Sequence, residues 1–429
     1  MQHSAKSKVI GLILLSLLVA HAVFAAAPEP KSEGKFFSSK GTKSDENYQG
    51  RAAGFLNYQL GRGINIGDLL IKPIVAYVHE WASNIFFEEN GRKEDHMDRL
   101  NAGFGAELPL NGAQHLLSFK YMSMMEWFER YDQENHDDHS FRGQLDLNFV
   151  PFNLELDNTF QKTVDRSDTE FTDRIKRDEN TAHVLLEVPF AAFFLESEFF
   201  DFDIDYDDST NSIFDHNEMS VYQRVGLDLG PSTQLLAEYG YTLIDYDHGD
   251  DVNGRDGDAQ QVMLGVRGNR GSRISYQFWS GGQWRIYDLS SRPDYNGLIF
   301  RSALQYDISE TSNIVLKGSR LTQESTFDDQ SFYVRNRLEI GWRQQIADHL
   351  FFNSHELLDY NEYSRITVRN NTERTRRDYV WESAAGLEYI FAQDFASLFC
   401  QYAYQARESN TSGLAYDSQS ITAGIKSKF

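Results

Sequence analysis

The chain has 429 residues, with 41 Lys+Arg against 64 Asp+Glu and a formal net charge of −23. One cysteine, Cys400, excludes a disulfide framework and a thiolate metal site, and so acidic a balance excludes nucleic acid, whose phosphates need clustered Lys and Arg. Aromatic residues make up 14% of the chain, which excludes general disorder although the mean hydropathy is −0.52.

His3, Lys6 and Lys8 give a basic start, Val9 to Ala20 is an apolar run broken only by Gly11 and Ser16, and a cleavage site follows at Val23-Phe24-Ala25. This pattern predicts a secretory signal peptide over residues 1–25. No cysteine stands at the cleavage site, so no lipoprotein anchor is expected, and no later apolar stretch of about 18 residues offers a transmembrane helix. Residues 26–68 read as a polar arm carrying Pro28-Glu29-Pro30, Gly34, Ser38-Ser39 and Gly41, with Phe55, Leu56 and Tyr58 as anchors. The arm is expected to lie in the periplasm or to plug a lumen.

From Leu69 to Phe429 the chain alternates. Phe141, Leu145, Leu147 and Phe149 oppose Arg142, Gln144, Asp146 and Asn148; Leu298, Phe300, Leu304 and Tyr306 oppose Arg301, Gln305 and Asp307. Phe332, Val334, Leu338, Ile340 and Trp342 oppose Arg335, Arg337, Glu339 and Arg343, and Tyr379, Trp381, Leu387 and Tyr389 oppose Glu382, Gly386 and Glu388. Period two over such lengths means half-buried strands. Tight turns at Asn111-Gly112, Pro151-Phe152-Asn153, Ala191-Ala192, Gly230-Pro231-Ser232, Asn269-Arg270-Gly271, Ser309-Glu310-Thr311, Ala347-Asp348 and Ala392-Gln393 take turns with longer polar stretches. Those stretches include Glu88 to His96, Arg166 to Asp178, Asp207 to His216, His248 to Asp258 and Ser364 to Arg377. Eight tight turns between nine hairpins predict about 18 strands (16–18), and short turns on one side with long loops on the other are the mark of outer-membrane barrels. The fold expected is all-β: a single closed antiparallel transmembrane β-barrel over 69–429. In hydrocarbon every backbone N–H and C=O must be paired, and a sheet achieves that only by closing on itself.

The terminus fits this fold. Ile421, Ala423, Ile425 and Phe429 share one parity, an amphipathic last strand like the signal read by the barrel assembly machinery; Ser427 stands where an apolar residue is usual. Trp127, Tyr239, Tyr241, Trp342, Trp381, Tyr402 and Tyr404 are candidates for the interfacial aromatic girdles.

A barrel this wide has room for water in its lumen. The lumen-facing candidates carry both signs: Arg142, Arg224, Arg301, Arg335, Arg337 and Arg343 against Asp146, Glu339, Glu382 and Glu388. They either form a constriction that selects a solute by its field or brace the wall by cross-strand pairing. The Arg335/Arg337/Arg343 row is the candidate contact for an acidic sugar chain. Asp201, Asp203, Asp205, Asp207 and Asp208, and the tract Asp245 to Asp258, are oxygen-rich as Ca²⁺ sites are, but lack the EF-hand spacing and read first as solvated outer loops, with divalent bridging to lipopolysaccharide between the two readings. No nucleophile-elbow or zincin context surrounds any Ser or His, so no enzyme, metal or cofactor is expected; His79, His115, His183 and His355 read as wall residues and Cys400 as lipid-facing.

Tyr77 to Phe87, with Asn84-Ile85-Phe86, precedes a strand from Asp98 to Leu110 that contains Arg99, Leu100 and Gly103, and Tyr131-Asp132 and Phe141 to Phe149 follow. This succession resembles the putative β-barrel porin 2 family, with Ala82-Ser83 in place of a paired Asp and Ala102 where Pro is common. The resemblance implies an outer-membrane barrel, and some members of that family accompany exopolysaccharide systems. The function expected is therefore a pore for export or passage of an extracellular polysaccharide. The alternatives are a general diffusion porin and a closed-lumen scaffold or adhesin. Expected partners are outer-membrane lipid and lipopolysaccharide, the barrel assembly machinery, a polysaccharide and a periplasmic export partner.

Overall fold

The computed structural model describes residues 63–429 apart from 165, 167–173, 248–253, 328–329, 370–371, 392–394 and 429. The expected leader, most of the arm and Phe429 thus lie outside the described residues, as does part of the Asp245 to Asp258 tract.

The strands run β1 (Ile64–Ile66), β2 (Leu69–Ala82), β3 (Asp95–Leu110), β4 (His115–Phe128), β5 (His136–Asn148), β6 (Asn153–Thr163) and β7 (Arg177–Phe190). Then come β8 (Phe193–Tyr206), β9 (His216–Gly230), β10 (Thr233–Tyr246), β11 (Gly257–Arg270), β12 (Ile274–Tyr287) and β13 (Tyr295–Ser309). The chain ends with β14 (Ser312–Glu324), β15 (Phe332–Ala347), β16 (Leu350–Arg369), β17 (Thr372–Phe391), β18 (Ala396–Ser409) and β19 (Tyr416–Lys428). Each strand from β2 to β19 is antiparallel to the next in sequence, and β19 returns to β2 from Ser420↔Ala82 to Lys428↔Ile74. The result is a closed barrel of 18 strands. Below the end of β19 the edge of β2 is taken instead by β1, where Ile64 pairs with Ile71 and Ile66 with Leu69.

Alternation decides which side chain meets which solvent. In β11 Met263 is fully covered while its neighbour Leu264 is 65% exposed, because the first points into the barrel and the second out. Val262, Phe278, Leu298, Leu338, Trp342 and Leu387 belong to the same exposed apolar face, and Cys400 is exposed with them. Such a face would be a liability in water and is the stable surface in hydrocarbon. Tight turns collect at one end. At Asn111 and Gly112 φ is +50° and +65°, the left-handed pair that suits a short hairpin between twisted strands.

The structure corrects the sequence reading in three places. Most of the polar stretch Ser364 to Arg377 is strand rather than loop: β16 and β17 each run 20 residues, with an irregularity between Glu362 and Ile366. A ladder can continue into water with polar residues on both faces, so composition there hid the strands. Tyr241 does not join an exposed girdle, being 3% exposed beneath Phe199, Val221, Met219 and Leu243, whereas Trp127, Tyr239, Trp342, Trp381 and Tyr402 are exposed on the outer face. Phe332 and Val334 are buried although they share parity with exposed Leu338 and Ile340.

Candidate functional site

The inner wall is built from ion pairs. Arg224 of β9 is 1% exposed and reaches Glu198 of β8 and Glu238 of β10 at 2.5 Å each. Arg301 of β13 adds a 2.6 Å bond to Glu238, Arg267 of β11 pairs with Glu196 of β8, and His183 of β7 lies 2.9 Å from Glu198. Long side chains can meet across two or three strands because they converge on the concave side of the wall. The Trp279 ring lies under Arg301, 4.9 Å from its guanidinium carbon, in a space kept by Gly265, where a Cβ would come within 2.5 Å of the indole. Charges held this far from water persist only when each has a partner of opposite sign.

The other residues singled out in the sequence sit on the same inner face. Arg142 bonds Asp157 at 2.6 Å; Arg337 binds both oxygens of Asp359, at 2.8 and 2.6 Å; Arg343 bonds Glu388 and Asn353 at 3.0 Å each. Glu388 also takes Lys426 at 2.9 Å, and Glu339 lies 3.2 Å from Lys317 and 3.6 Å from His355. Arg335 is buried between Leu321 and Asn361, Glu382 is half-buried between Leu357 and Gln405, and Asp146 faces Glu155. Ile421, Ala423 and Ile425 are exposed on the outer face. Near the tight-turn end, Asp146, Glu155, Asp157 and Glu187 on β5–β7 stand half a circumference from Lys317 and Arg343 on β14–β15.

Sequence reasoning missed the element that crosses the lumen. Pairing between β13 and β14 stops at Phe300↔Arg320, although β14 continues to Glu324. Above that point the end of the β14–β15 hairpin leans inward. Leu321 packs against Leu236, Met263, Trp279 and Ile299, and Thr322 Oγ1 donates to Gln283 at 2.7 Å. Glu324 pairs with Arg285 of β12 and accepts from Tyr246 Oη of β10 at 2.9 Å. Neighbouring strands are about 4.8 Å apart, so β10 and β14 are roughly 19 Å apart along the wall, and a direct bond between them must cut across the interior.

The tip is fastened on both sides. Arg255, before β11, donates to the carbonyls of Ser325 and Phe327 at 2.6 Å each. On the far side Arg376 stacks 4.1 Å from both the Phe327 and Tyr363 rings, and Ser364 Oγ accepts from the N–H of Ser331 and of Phe332. Phe332 stacks on Tyr287 and meets Tyr295 edge-on. This accounts for its burial.

On the outer face Asp201, Asp203 and Asp205 alternate along β8, with Asn217 bonded to Asp201 at 2.7 Å. Among the described residues no group of three or more His, Cys, Asp or Glu is placed to hold a metal ion.

The sequence profile of the family described as Putative beta-barrel porin 2 matches residues 61–429. The chain belongs to the putative beta-barrel porin 2 family. This porin is a barrel of the bacterial outer membrane, and its family is one of channels rather than enzymes. By the rule of such barrels its tight turns face the periplasm and its long loops the outside. No curated protein sequence gives a significant match. Among solved structures the porin is similar to OccAB3 of Acinetobacter baumannii (11% identity, TM-score 0.45, covering 84% of this chain and 99% of that one). It is also similar to the outer membrane protein OpdK of Pseudomonas aeruginosa (8%, 0.46, 83% and 98%) and to OccK2 (OpdF) of the same organism, solved in complex with glucuronate (10%, 0.46, 83% and 98%).

Proposed function

We propose that this porin is a constricted diffusion channel for small hydrated solutes, narrowed by the infolded end of the β14–β15 hairpin. The supporting observation is the contact of Glu324 with Tyr246 and Arg285, which carries the hairpin across the interior. A polar inner wall provides for hydrated cargo. The test is conductance in planar bilayers: replacing 325–331 by a two-residue turn should raise single-channel current and admit larger polyethylene glycols. Unchanged current and size cut-off would reject the constriction.

Passage of an extracellular polysaccharide is the second reading. It rests on the family resemblance and on the Arg335/Arg337/Arg343 row. The Arg337 and Arg343 guanidiniums are engaged by Asp359 and Glu388, so the row offers less to an acidic polymer than its sequence suggests. Block of the current by acidic oligosaccharides would favour that cargo, and absence of any current would favour a closed scaffold. We further propose that residues 26–68, whose end carries β1 beside the periplasmic end of β2, form an arm at that mouth or a plug of the lumen, and that outward Ile421, Ala423 and Ile425 serve recognition by the barrel assembly machinery. Truncating the arm should raise conductance if it enters the lumen.

A further inference from the structure

The outer face of the first hairpin carries two histidines that the channel does not use. His79 of β2 stands directly opposite Asp98 of β3, and His96 of β3 stands opposite Trp81, so the two imidazoles are diagonal neighbours across one ladder. His79 Nε2 and His96 Nδ1 are 3.3 Å apart, with ring planes inclined by 23° and centroids 5.4 Å apart, so the rings meet edge to edge through these nitrogens. The other nitrogen of His79, Nδ1, is bonded to Asp98 Oδ1 at 2.9 Å, and the same carboxylate oxygen accepts from Tyr77 Oη at 2.5 Å. Asp98 therefore holds the proton of His79 on Nδ1 and leaves Nε2 with its lone pair facing His96.

Two imidazole nitrogens aimed at each other over this distance share either one proton or one cation. Metal–nitrogen bonds of about 2.0–2.1 Å place two ligands of a tetrahedral ion roughly 3.3 Å apart, so the spacing fits a chelated ion without movement of the backbone. His79 is three residues from the external end of β2 and His96 one residue from that of β3, and His79 is half exposed. Trp127, opposite Asp98 on β4, marks the aromatic level there, which puts the pair among headgroups and water rather than hydrocarbon.

We propose that His79 and His96 bind one borderline transition-metal dication, of the zinc or copper class, at the external rim of the barrel, with water completing its shell. Asp98 is the positioning residue, fixing the tautomer and ring of His79 as carboxylates do behind metal-bound histidines. Two nitrogen ligands select against Ca²⁺ and Mg²⁺, which require oxygen. With two protein ligands the ion exchanges rather than holding the fold together.

The test uses porin purified without an affinity tag from outer membranes and stripped with chelator. Zn²⁺ calorimetry should give one ion per chain, and Cu²⁺ electron paramagnetic resonance should show two equivalent nitrogens. His79→Gln and His96→Gln should each abolish the two-nitrogen signature. Asp98→Asn should weaken Zn²⁺ binding about tenfold or more and keep the signature. Because these side chains face outward, retained heat-modifiable migration certifies that each variant is folded. Isotherms of both histidine variants that match the wild type overturn the proposal, as does full displacement of Zn²⁺ by Ca²⁺.

Discussion

Tyr246 on β10 donates its hydroxyl hydrogen to Glu324 on β14 at 2.9 Å, although three strands stand between them in the wall. The same carboxylate pairs with Arg285 of β12, so one acid fixes the hairpin end to two strands on its far side. Glu324→Ala should leave Arg285 buried without that partner and loosen the hairpin. Single-channel recordings should show higher mean current and more frequent closures than wild type. A trace indistinguishable from wild type would mean that the remaining contacts, those of Arg255, Arg376, Thr322 and Phe332 among them, hold the hairpin without Glu324.

Arg224 pairs with Glu198 and Glu238 and lies beside Glu196 as well. Arg224→Ala should destabilise the folded barrel by about 3–5 kcal/mol, the usual cost of stranding a buried charge. The measurement is a urea titration of the protein in lipid vesicles. A loss under about 1 kcal/mol, the level of a surface pair, would show that water already reaches this network.

Asp146, Glu155 and Glu187 on β5–β7 stand across the periplasmic half of the lumen from Lys317 and Arg343 on β14–β15, which pair with Glu339 and Glu388. Replacing Glu155 and Glu187 by Gln should shift the reversal potential in a KCl gradient toward anion preference, and Lys317→Gln should shift it the opposite way. Both shifts should shrink at 1 M salt, where the screening length falls to about 3 Å. Equal potentials in all three proteins would place the permeation path away from these walls.

Leu264 is central in β11 and 65% exposed, whereas Gln261 on the inner face is buried. Leu264→Arg should cost about 2–4 kcal/mol by putting a charge at mid-depth in lipid. Vesicle unfolding measures this directly, and a neutral result would mean that this face meets protein or water.

Much of the fold was legible because alternation and turn placement are local. Leu338, Ile340 and Trp342 against Arg337, Glu339 and Arg343 reveal a two-faced strand, and turns such as Asn111-Gly112 reveal where it reverses. The same period could not reveal that Phe332 and Val334 leave the lipid side, since a strand leaning into a lumen keeps the pattern of one lining it. Nor could it pair Glu324 with Tyr246, 78 residues away, because a chord across a cylinder leaves no periodic trace. The inward charges were recognisable, but their partners were not: Glu238, Arg267 and Arg285 drew no notice, although their residue type on the polar parity was a signal. His79 looked solitary because its neighbour, His96, sits 17 residues on and meets it only through the hairpin register.

The short pairing of Ile64–Ile66 with Leu69–Ile71 bears on how the cylinder is sewn shut. It occupies the lower margin of the first stave, leaving the stretch from Ile74 to Ala82 as the edge that the last one meets. A terminal strand sliding toward the periplasm would run into this clasp, and one sliding by a single residue would turn Ile421 and Ile425 inward. The clasp thus acts as an end-stop on the zipper, setting the final stitch by position as well as by affinity.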